Sequence, residues 1–145
     1  MIRQSTSEDL ANVISLLKNV SLPFEDIHLH FDNYLVLEID GNIVGTIGME
    51  VYEEIALLRS LAVSKEFQKK GLGQKLCLKL FEIIKAMGIS KIYLLTETAE
   101  EFFIRQGFQK ISRDSAPLQI QQSYEFTTLC PSTAICMCKR LNEQH

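Results

Sequence analysis

Apolar residues recur along this chain with two spacings, and each spacing predicts one kind of element. Helical spacing marks residues 10–17 and 72–87, so each segment is expected to form a helix with one apolar face. Ser7 is the expected cap of the first helix, and Gly88 is a natural end for the second. Shorter apolar runs without that spacing are rich in β-forming residues and predict strands.

These runs predict a sheet of about six to seven strands. Residues 33–51 have the pattern of a hairpin around Asp40-Gly41-Asn42, where positive φ angles are easily adopted. Residues 55–63 are almost continuously apolar, which is typical of a central strand. The other predicted strands lie at 1–6, at 91–96, directly after Gly107-Phe108 and at 133–141, with short helices at 99–106 and within 115–126. This order indicates a mixed α/β sheet with helices packed on it.

The composition is that of an ordinary globular domain. The chain has 145 residues, enough for one substantial core, and we expect a single domain over residues 1–145. The formal net charge is -3 and no basic tract is present, which disfavours nucleic-acid and anionic-membrane partners. No apolar segment approaches the roughly 20 residues that cross a bilayer, so a cytoplasmic location is expected. The four cysteines are then expected to be thiols.

Two glycines flank one leucine where the second helix is expected to begin. A helix start carries backbone N–H groups without intrahelical partners, and Gly71 and Gly73 would let a phosphate approach them closely. A P-loop needs Lys and then Ser or Thr directly after the second glycine, where this chain has Gln74-Lys75-Leu76. A dinucleotide fingerprint needs a third glycine where Leu76 stands. By itself, the glycine pair is equally compatible with a flexible turn.

Two longer motifs resemble those of the GNAT N-acetyltransferases. The segment LRSLAVSKEFQKKGLGQKL resembles the acyl-CoA signature of that family, a strand, V-x-x-x-x-Q/R-x-x-G-x-G/A and a helix, with matches at Gln68, Gly71 and Gly73. The segment TETAEEFFIRQGF is similar to the family's second CoA motif, N-x-x-A-x-x-L/F-Y-x-x-x-G-F, with matches at Ala99, Phe102, Gly107 and Phe108. Both motifs stand in the expected order on the predicted elements.

The resemblance implies the GNAT acyltransferase fold, with helices on both faces of the sheet, acetyl-CoA as cosubstrate and no metal. The pantetheine arm would lie beside Leu61–Val63, where this strand diverges from strand 91–96, and an N–H near Ala62 would stabilise the oxyanion. The residues expected to contact the cofactor are Leu61, Ala62, Val63, Gln68, Lys69, Lys70, Gly71, Leu72, Gly73, Gln74, Thr96, Phe102, Phe103 and Arg105. Pairing through the closing strand is common in such folds and would give a homodimer.

The second motif departs from the family at the position of its general acid. Phe103 stands where the family often has a tyrosine that protonates the departing thiolate. Tyr124 is a possible substitute, although a core or rim tyrosine is the commoner case, and an alkyl thiol with a pKa of about 8.5 also leaves tolerably well unaided. For the general base, the resemblance favours Glu50 or Glu97. Either residue could instead be a solvated acid at a strand end.

Arg59 interrupts the apolar run of the predicted central strand, and a buried charge needs a partner. One interpretation is an ion pair with Glu50 or Glu38 on a neighbouring strand. The other is a guanidinium fork that binds an acidic substrate, with the Ser60 hydroxyl beside it.

The early loop, which usually lines the acceptor pocket in the family, carries His28 and His30. Both are interpreted as pocket-wall or surface residues, with His28 a candidate substrate contact. A third metal ligand is not evident in the sequence, so metal binding by this pair is not expected.

The tail EFTTLCPSTAICMCKRL resembles that of acetyltransferases encoded with arsenic-resistance genes, as do LLRSLAV and LLTETAE. That subgroup is thought to acetylate amino acids of the arsinothricin and phosphinothricin type, which are anionic. Cys130, Cys136 and Cys138 also suggest a metalloid site, although cysteine is a common small buried residue. The favoured function is acetyl transfer to a small, acidic amine. The alternatives are an acyl-CoA-binding module with little turnover and a thiol-based metalloid-binding protein.

Overall fold

A computed structural model describes residues 1–141 of the chain and contains a seven-stranded mixed sheet within them. The hydrogen-bonded order of the strands is β1-β2-β3-β4-β5-β7-β6. The strands are β1 Ile2–Gln4, β2 Tyr34–Ile39, β3 Asn42–Tyr52, β4 Ile55–Val63, β5 Lys91–Thr96, β6 Gln109–Ile111 and β7 Ile135–Arg140. The helices are α1 Leu10–Asn19, α2 Leu72–Ala86, α3 Glu100–Arg105 and α4 Leu118–Gln121, and a π-helical turn spans Glu125–Leu129. The predicted fold class is confirmed.

The chain divides into two compact units. The first contains Met1–Glu50 and Arg59–Ile83, and the second contains Val51–Leu58 and the described residues from Ile84 onward. The expectation of a single domain stays a prediction. Across residues 1–141, no helix is long and apolar enough to cross a membrane.

In the first unit, the predicted hairpin is confirmed. Asp40 and Gly41 both have positive φ angles, 52° and 81°, which a two-residue turn of this hand requires. The turn brings β2 and β3 together as antiparallel partners, with Tyr34 opposite Gly48. β1 pairs with the other edge of β2.

Both faces of this hairpin are covered by helices of the first unit. On one face, Tyr34 and Val36 pack with Val13 and Leu17 of α1 in a buried cluster. On the other face, a methyl group added at Gly45 would lie only 3.2 Å from Leu76 of α2. The small residue therefore lets α2 approach the sheet closely.

The start of the first helical segment differs by one residue from the prediction. A 3-10 turn, Ser7–Asp9, precedes α1, and the cap is Thr6 rather than Ser7. The Thr6 N–H donates to the Asp9 carboxylate over 2.8 Å, and Arg3 also donates to that carboxylate. The hydrogen bond from Arg3 is the main reason that the pKa of Asp9 is lowered to about 2.

In the second unit, β5 is the strand with both kinds of partner. It runs parallel to β4, with Ile55–Leu57 in register with Lys91–Tyr93, and antiparallel to β7. β6 pairs with the other edge of β7. β7 thus has a strand partner on each side at Cys136–Cys138, and the expected homodimer stays a prediction.

Candidate active site

The predicted glycine turn leads from the end of β4 to the start of α2. The Gln68 side-chain amide donates to the Val63 carbonyl over 2.8 Å and so holds the turn against the strand that precedes it. Lys69 and Gly71 both have left-handed φ angles, 67° and 79°. A methyl group added at Gly71 would find no atom within 4 Å, so backbone conformation rather than crowding favours glycine there.

The first turn of α2 presents backbone donors. The Lys75 N–H bonds to the Gly71 carbonyl over 3.2 Å, so the N–H groups of Leu72–Gln74 precede the first intrahelical bond. Within residues 1–141, no side chain caps these three N–H groups. Together with the positive end of the helix dipole, they can bind an anion. Lys69 and Lys70 are exposed in the same turn.

The strand that leads into this turn has an irregular backbone at one residue. Ser60 has a φ angle of 63°, an unusual value for a non-glycine residue inside a strand. Its hydroxyl lies 2.6 Å from the Tyr34 hydroxyl. The Tyr34 ring lies so close over Gly48 that a methyl group there would clash with it. Gly48 thus lets the tyrosine reach across β3, and Ser60, predicted as a substrate contact, is hydrogen-bonded within the protein.

Ala62 is buried, whereas Leu61 and Val63 on either side are partly exposed. β4 pairs in parallel with β5 at Ile55–Leu57. Leu61–Val63 lie beyond this paired stretch, toward the end of β4. The contact of Leu61–Val63 with a cofactor stays a prediction.

Arg59 lies in a buried cluster with two carboxylates, and we call Asp26, His30, Glu50 and Arg59 the Arg59 cluster. The two terminal nitrogens of Arg59 donate to the two oxygens of Asp26 over 2.7 and 2.8 Å. One of them also donates to the Glu50 Oε2 atom over 2.7 Å. The predicted ion pair with Glu50 is confirmed, with Asp26 in place of Glu38. The other interpretation, in which the Arg59 guanidinium binds an acidic substrate, is corrected, because Asp26 and Glu50 already accept its hydrogen bonds.

His30 is the fourth member of the Arg59 cluster. Its Nε2 atom lies 3.6 Å from the Glu50 Oε1 atom, on the side of the carboxylate away from the Arg59 contact. The ligand-type atoms of Asp26, His30 and Glu50 lie within 4.8 Å of one another. The Arg59 guanidinium already bridges the two carboxylates, so we assign no metal to them. His28, by contrast, is exposed, and its substrate contact stays a prediction.

Sequence reasoning missed Asp26 and Tyr34. Asp26 lies 33 residues before Arg59 in a loop without a regular pattern, so spacing along the chain did not connect the two. The available signal was the arginine itself, because a buried guanidinium requires nearby acceptors. In the sequence, Tyr34 is an ordinary aromatic residue of a strand. Only the absence of a side chain at Gly48 indicated that the Tyr34 ring could cross β3 to contact Ser60.

The residues of the second motif lie in the second unit. Phe103 is 5% exposed and packs edge-to-face against Phe102 and Phe108, and its contact with the cofactor stays a prediction. The Thr96 hydroxyl accepts a hydrogen bond from the Ala99 N–H over 3.1 Å. A pocket of about 460 Å³ at the start of α3 is lined by residues 97–102, Arg105 and Ile135. Glu97 is exposed at that pocket.

Two of the three tail cysteines, Cys136 and Cys138, have the properties of packing residues. Burial raises the pKa of the Cys136 thiol to about 11 and also raises that of Cys138. A raised pKa keeps the thiol protonated, whereas soft metals and metalloids bind the thiolate. Among the described residues, no cysteine belongs to a cluster of three potential metal ligands. The geometry gives no support to a metalloid site. Tyr124 is 49% exposed, and its role as an acid stays a prediction.

Sequence comparison relates the chain to known acetyltransferases. A model of the acetyltransferase (GNAT) domain matches residues 30–110. An uncharacterised N-acetyltransferase of Chlorobaculum tepidum is 30% identical over 113 residues, which cover 77% of this chain and 70% of that protein. An amino-acid acetyltransferase of Neisseria meningitidis is 27% identical over 136 residues and 85% of this chain. The chain spans only 30% of the length of that relative.

Structural comparison gives a similar result. The crystal structure of N-acetylglutamate synthase from Neisseria gonorrhoeae, complexed with coenzyme A and N-acetyl-glutamate, matches with a TM-score of 0.85 and 25% identity. The match covers 99% of this chain and 35% of that one. Rv2747 from Mycobacterium tuberculosis, in complex with CoA, matches with a TM-score of 0.79 over 98% of this chain and 99% of that one. At 18% identity, this second match shows the fold alone.

Proposed function

Since this chain belongs to the GNAT acetyltransferase family, we propose that it transfers the acetyl group of acetyl-CoA to a primary amine. The substrate is a small, acidic, amino-acid-like molecule that attacks the thioester directly in a ternary complex. The observation that carries the proposal is the uncapped start of α2, held beside the end of β4 by the Gln68–Val63 hydrogen bond.

The pyrophosphate of acetyl-CoA binds at the start of α2. The N–H groups of Leu72–Gln74 donate to its oxygens, and the positive end of the helix dipole adds to the attraction. Gly71 and Gly73 carry no side chain that would hold the phosphates away. The exposed ammonium groups of Lys69 and Lys70 supply further positive charge at the same turn.

The acyl end of acetyl-CoA lies along β4. Main-chain groups of Leu61 and Val63 bond to the pantetheine arm, and the Ala62 N–H polarises the thioester carbonyl. Loss of one such donor typically costs on the order of 3 kcal/mol of activation free energy. The left-handed residue Ser60 supports this assignment, because it redirects the strand just before these three residues.

The substrate class is supported by the relatives. One is an amino-acid acetyltransferase, and one is a synthase complexed with N-acetyl-glutamate. A finer proposal is an amino acid that carries an arsenic or phosphorus acid, of the arsinothricin or phosphinothricin type. It is supported only by the resemblance of residues 125–141 and of the LLRSLAV and LLTETAE runs. The ratio of kcat/KM for phosphinothricin to that for glutamate tests it, and a ratio below one contradicts it.

A matched pair of glycines tests the phosphate assignment. Gly71 and Gly41 have nearly equal φ angles, 79° and 81°, and an added methyl group meets no atom within 4 Å at either. Gly71→Ala and Gly41→Ala should therefore strain the backbone equally and lower Tm by similar amounts. Only Gly71→Ala should weaken acetyl-CoA binding in isothermal titration calorimetry, and Gly73→Val should weaken it severely. Normal affinity in both position-71 and position-73 variants contradicts the assignment.

A second candidate is a CoA-binding module with little turnover, and the burial of Phe103 in an aromatic cluster favours it. A phenyl ring cannot protonate the departing thiolate, so this position offers no general acid. Release of the CoA thiol with a panel of acidic, neutral and basic amino acids separates the two candidates. Turnover that is fastest with acidic amines supports the transferase, whereas tight binding without turnover on any amine supports the module.

A further inference from the structure

The Arg59 cluster connects a buried carboxylate to solvent through one imidazole. The Arg59, Glu50 and Asp26 side chains are 0%, 2% and 4% exposed, whereas that of His30 is 26% exposed. A ligand proton can therefore reach His30 directly but cannot reach Glu50. We propose that His30 accepts the proton of the substrate ammonium group and that Glu50 positions its imidazole, an inference that rests on the proposed function.

In the proposal, the neighbouring carboxylate orients the ring. The Glu50 Oε2 atom is fixed by Arg59, and the Oε1 atom faces the Nε2 atom of His30 at 3.6 Å. An Nε2 atom that carries hydrogen toward Glu50 leaves the lone pair on Nδ1 for the incoming proton. This is the division of labour in a catalytic triad, where a buried carboxylate orients the histidine and stabilises the imidazolium. Glu50, predicted as the base itself, thereby becomes a positioning residue.

The charges of the Arg59 cluster do not cancel among its three buried members. Asp26 and Glu50 contribute two negative charges and Arg59 one positive charge, so the three leave one net negative charge in a buried site. The charged or titratable groups around His30 come from several elements: Glu50 of β3, Arg59 of β4, Asp26 in the preceding loop, and the exposed His28 and Asp32 beside it in the chain.

The turn that carries His30 is anchored to the part of β4 where acetyl transfer is proposed. Phe31, the next residue, packs in the same buried cluster as Ala62 and Tyr34. The Tyr34 hydroxyl contacts Ser60, which directly follows Arg59 on β4. These contacts fix the imidazole relative to the strand whose backbone would hold the thioester.

The proposed step balances. One N–H proton of the ammonium group passes to Nδ1 of His30, and the freed lone pair of the amine forms the new C–N bond to the thioester carbonyl. The C–S bond then breaks with its electron pair on sulfur. A second proton from the substrate nitrogen ends on the thiolate to give the CoA thiol, and the imidazolium returns its proton to water. The net change is one amide, one thiol and one released proton.

Substitution of His30 tests the proposal. His30→Gln should lower kcat with the best amine by about 10²- to 10⁴-fold, the usual contribution of a general base. The acetyl-CoA affinity of this variant should equal that of the wild type, since the phosphate site does not involve the imidazole. The acid limb in the pH profile of kcat/KM should disappear. Added imidazole should restore turnover to His30→Ala, which a merely structural role would not allow.

Two further variants serve as comparisons. Asp32→Asn changes an exposed residue in the same turn and should leave kcat unchanged. Glu50→Gln should lower kcat and leave acetyl-CoA affinity unchanged, because the imidazole loses the carboxylate that positions it. If His30→Gln keeps wild-type kcat and pH profile, the base assignment is wrong while the transferase remains. If the wild type shows no turnover on any amine, both proposals fail. Loss of activity in EDTA would instead indicate a bound cation and overturn the proton role.

Discussion

Two arginines in the first unit each bridge two carboxylates, and burial is what separates them. Arg59 bonds Asp26 and Glu50 with a side chain that is 0% exposed. Arg3 bonds Asp9 and Glu38 with a side chain that is 30% exposed. The number of partners is the same, but water and salt reach the Arg3 side chain and do not reach that of Arg59.

The difference determines what each set can do. Desolvated ions depend on one another, because a buried charge without its partner is strongly destabilising. A partly exposed set such as that of Arg3 is worth less, since solvent can replace a lost partner of the arginine. We therefore expect the ion pairs of Arg59 to fix the position of the Glu50 carboxylate beside His30. The Arg3 set ties β1 to β2 and to the cap of α1 and has no such role.

The largest effect is expected from Arg59→Ala. This change leaves Asp26 and Glu50 buried without their cation and should lower the free energy of unfolding by about 3–5 kcal/mol. Denaturant unfolding followed by circular dichroism measures it. The Arg59→Met, Asp26→Asn, Glu50→Gln triple variant removes the charges together and should be more stable than Arg59→Ala alone. A loss below about 1 kcal/mol would mean that the buried Arg59 cluster tolerates the loss of its arginine as readily as the Arg3 set.

A smaller effect is expected from replacing each arginine by lysine. Arg59→Lys keeps the charge but loses the planar fork that reaches three carboxylate contacts, and should cost about 1.5–3 kcal/mol. Arg3→Lys is the matched change at the Arg3 set and should lower Tm much less. Equal losses in Tm for the two variants would show that fork geometry, not burial, distinguishes the two arginines.

The same contrast shows what the sequence could predict. The hairpin turn at Asp40 and Gly41 and the two ends of α2 were predictable, because glycine and helix-cap chemistry act over a few neighbouring residues. The first cap was placed one residue late. Thr6 and Ser7 carry the same hydroxyl, and the choice depends on which backbone remains extended, φ -120° at Thr6.

The candidate site was only half predictable, for the same reason. The glycine turn could be identified from residues 63–73 alone, since its chemistry belongs to one continuous stretch of backbone. The Arg59 cluster assembles residues 26, 30, 50 and 59, which only the packed chain brings together. The sequence showed that a buried Arg59 needs acidic partners. It identified Glu50 as one of them but not Asp26. Folding also placed β7 between β5 and β6, where no local pattern indicated it.

The smallest effect is expected at the Arg3 set, and it depends on pH. The pKa of Asp9 is about 2 in the folded protein, below its ordinary value of 3.8, chiefly because Arg3 donates to the carboxylate. The unfolded chain therefore takes up this proton first as the pH falls, so the stabilisation is complete above about pH 4 and is lost toward pH 2. Thermal unfolding of the wild type and Asp9→Asn between pH 2 and 6 measures the difference. The difference in Tm should be largest at pH 6 and should disappear at the acid end. It should be smaller at every pH in 1 M NaCl, because salt reaches the partly exposed Arg3 side chain. A gap that salt leaves unchanged would place Asp9 and Arg3 with the buried set and remove the distinction drawn between the two arginines.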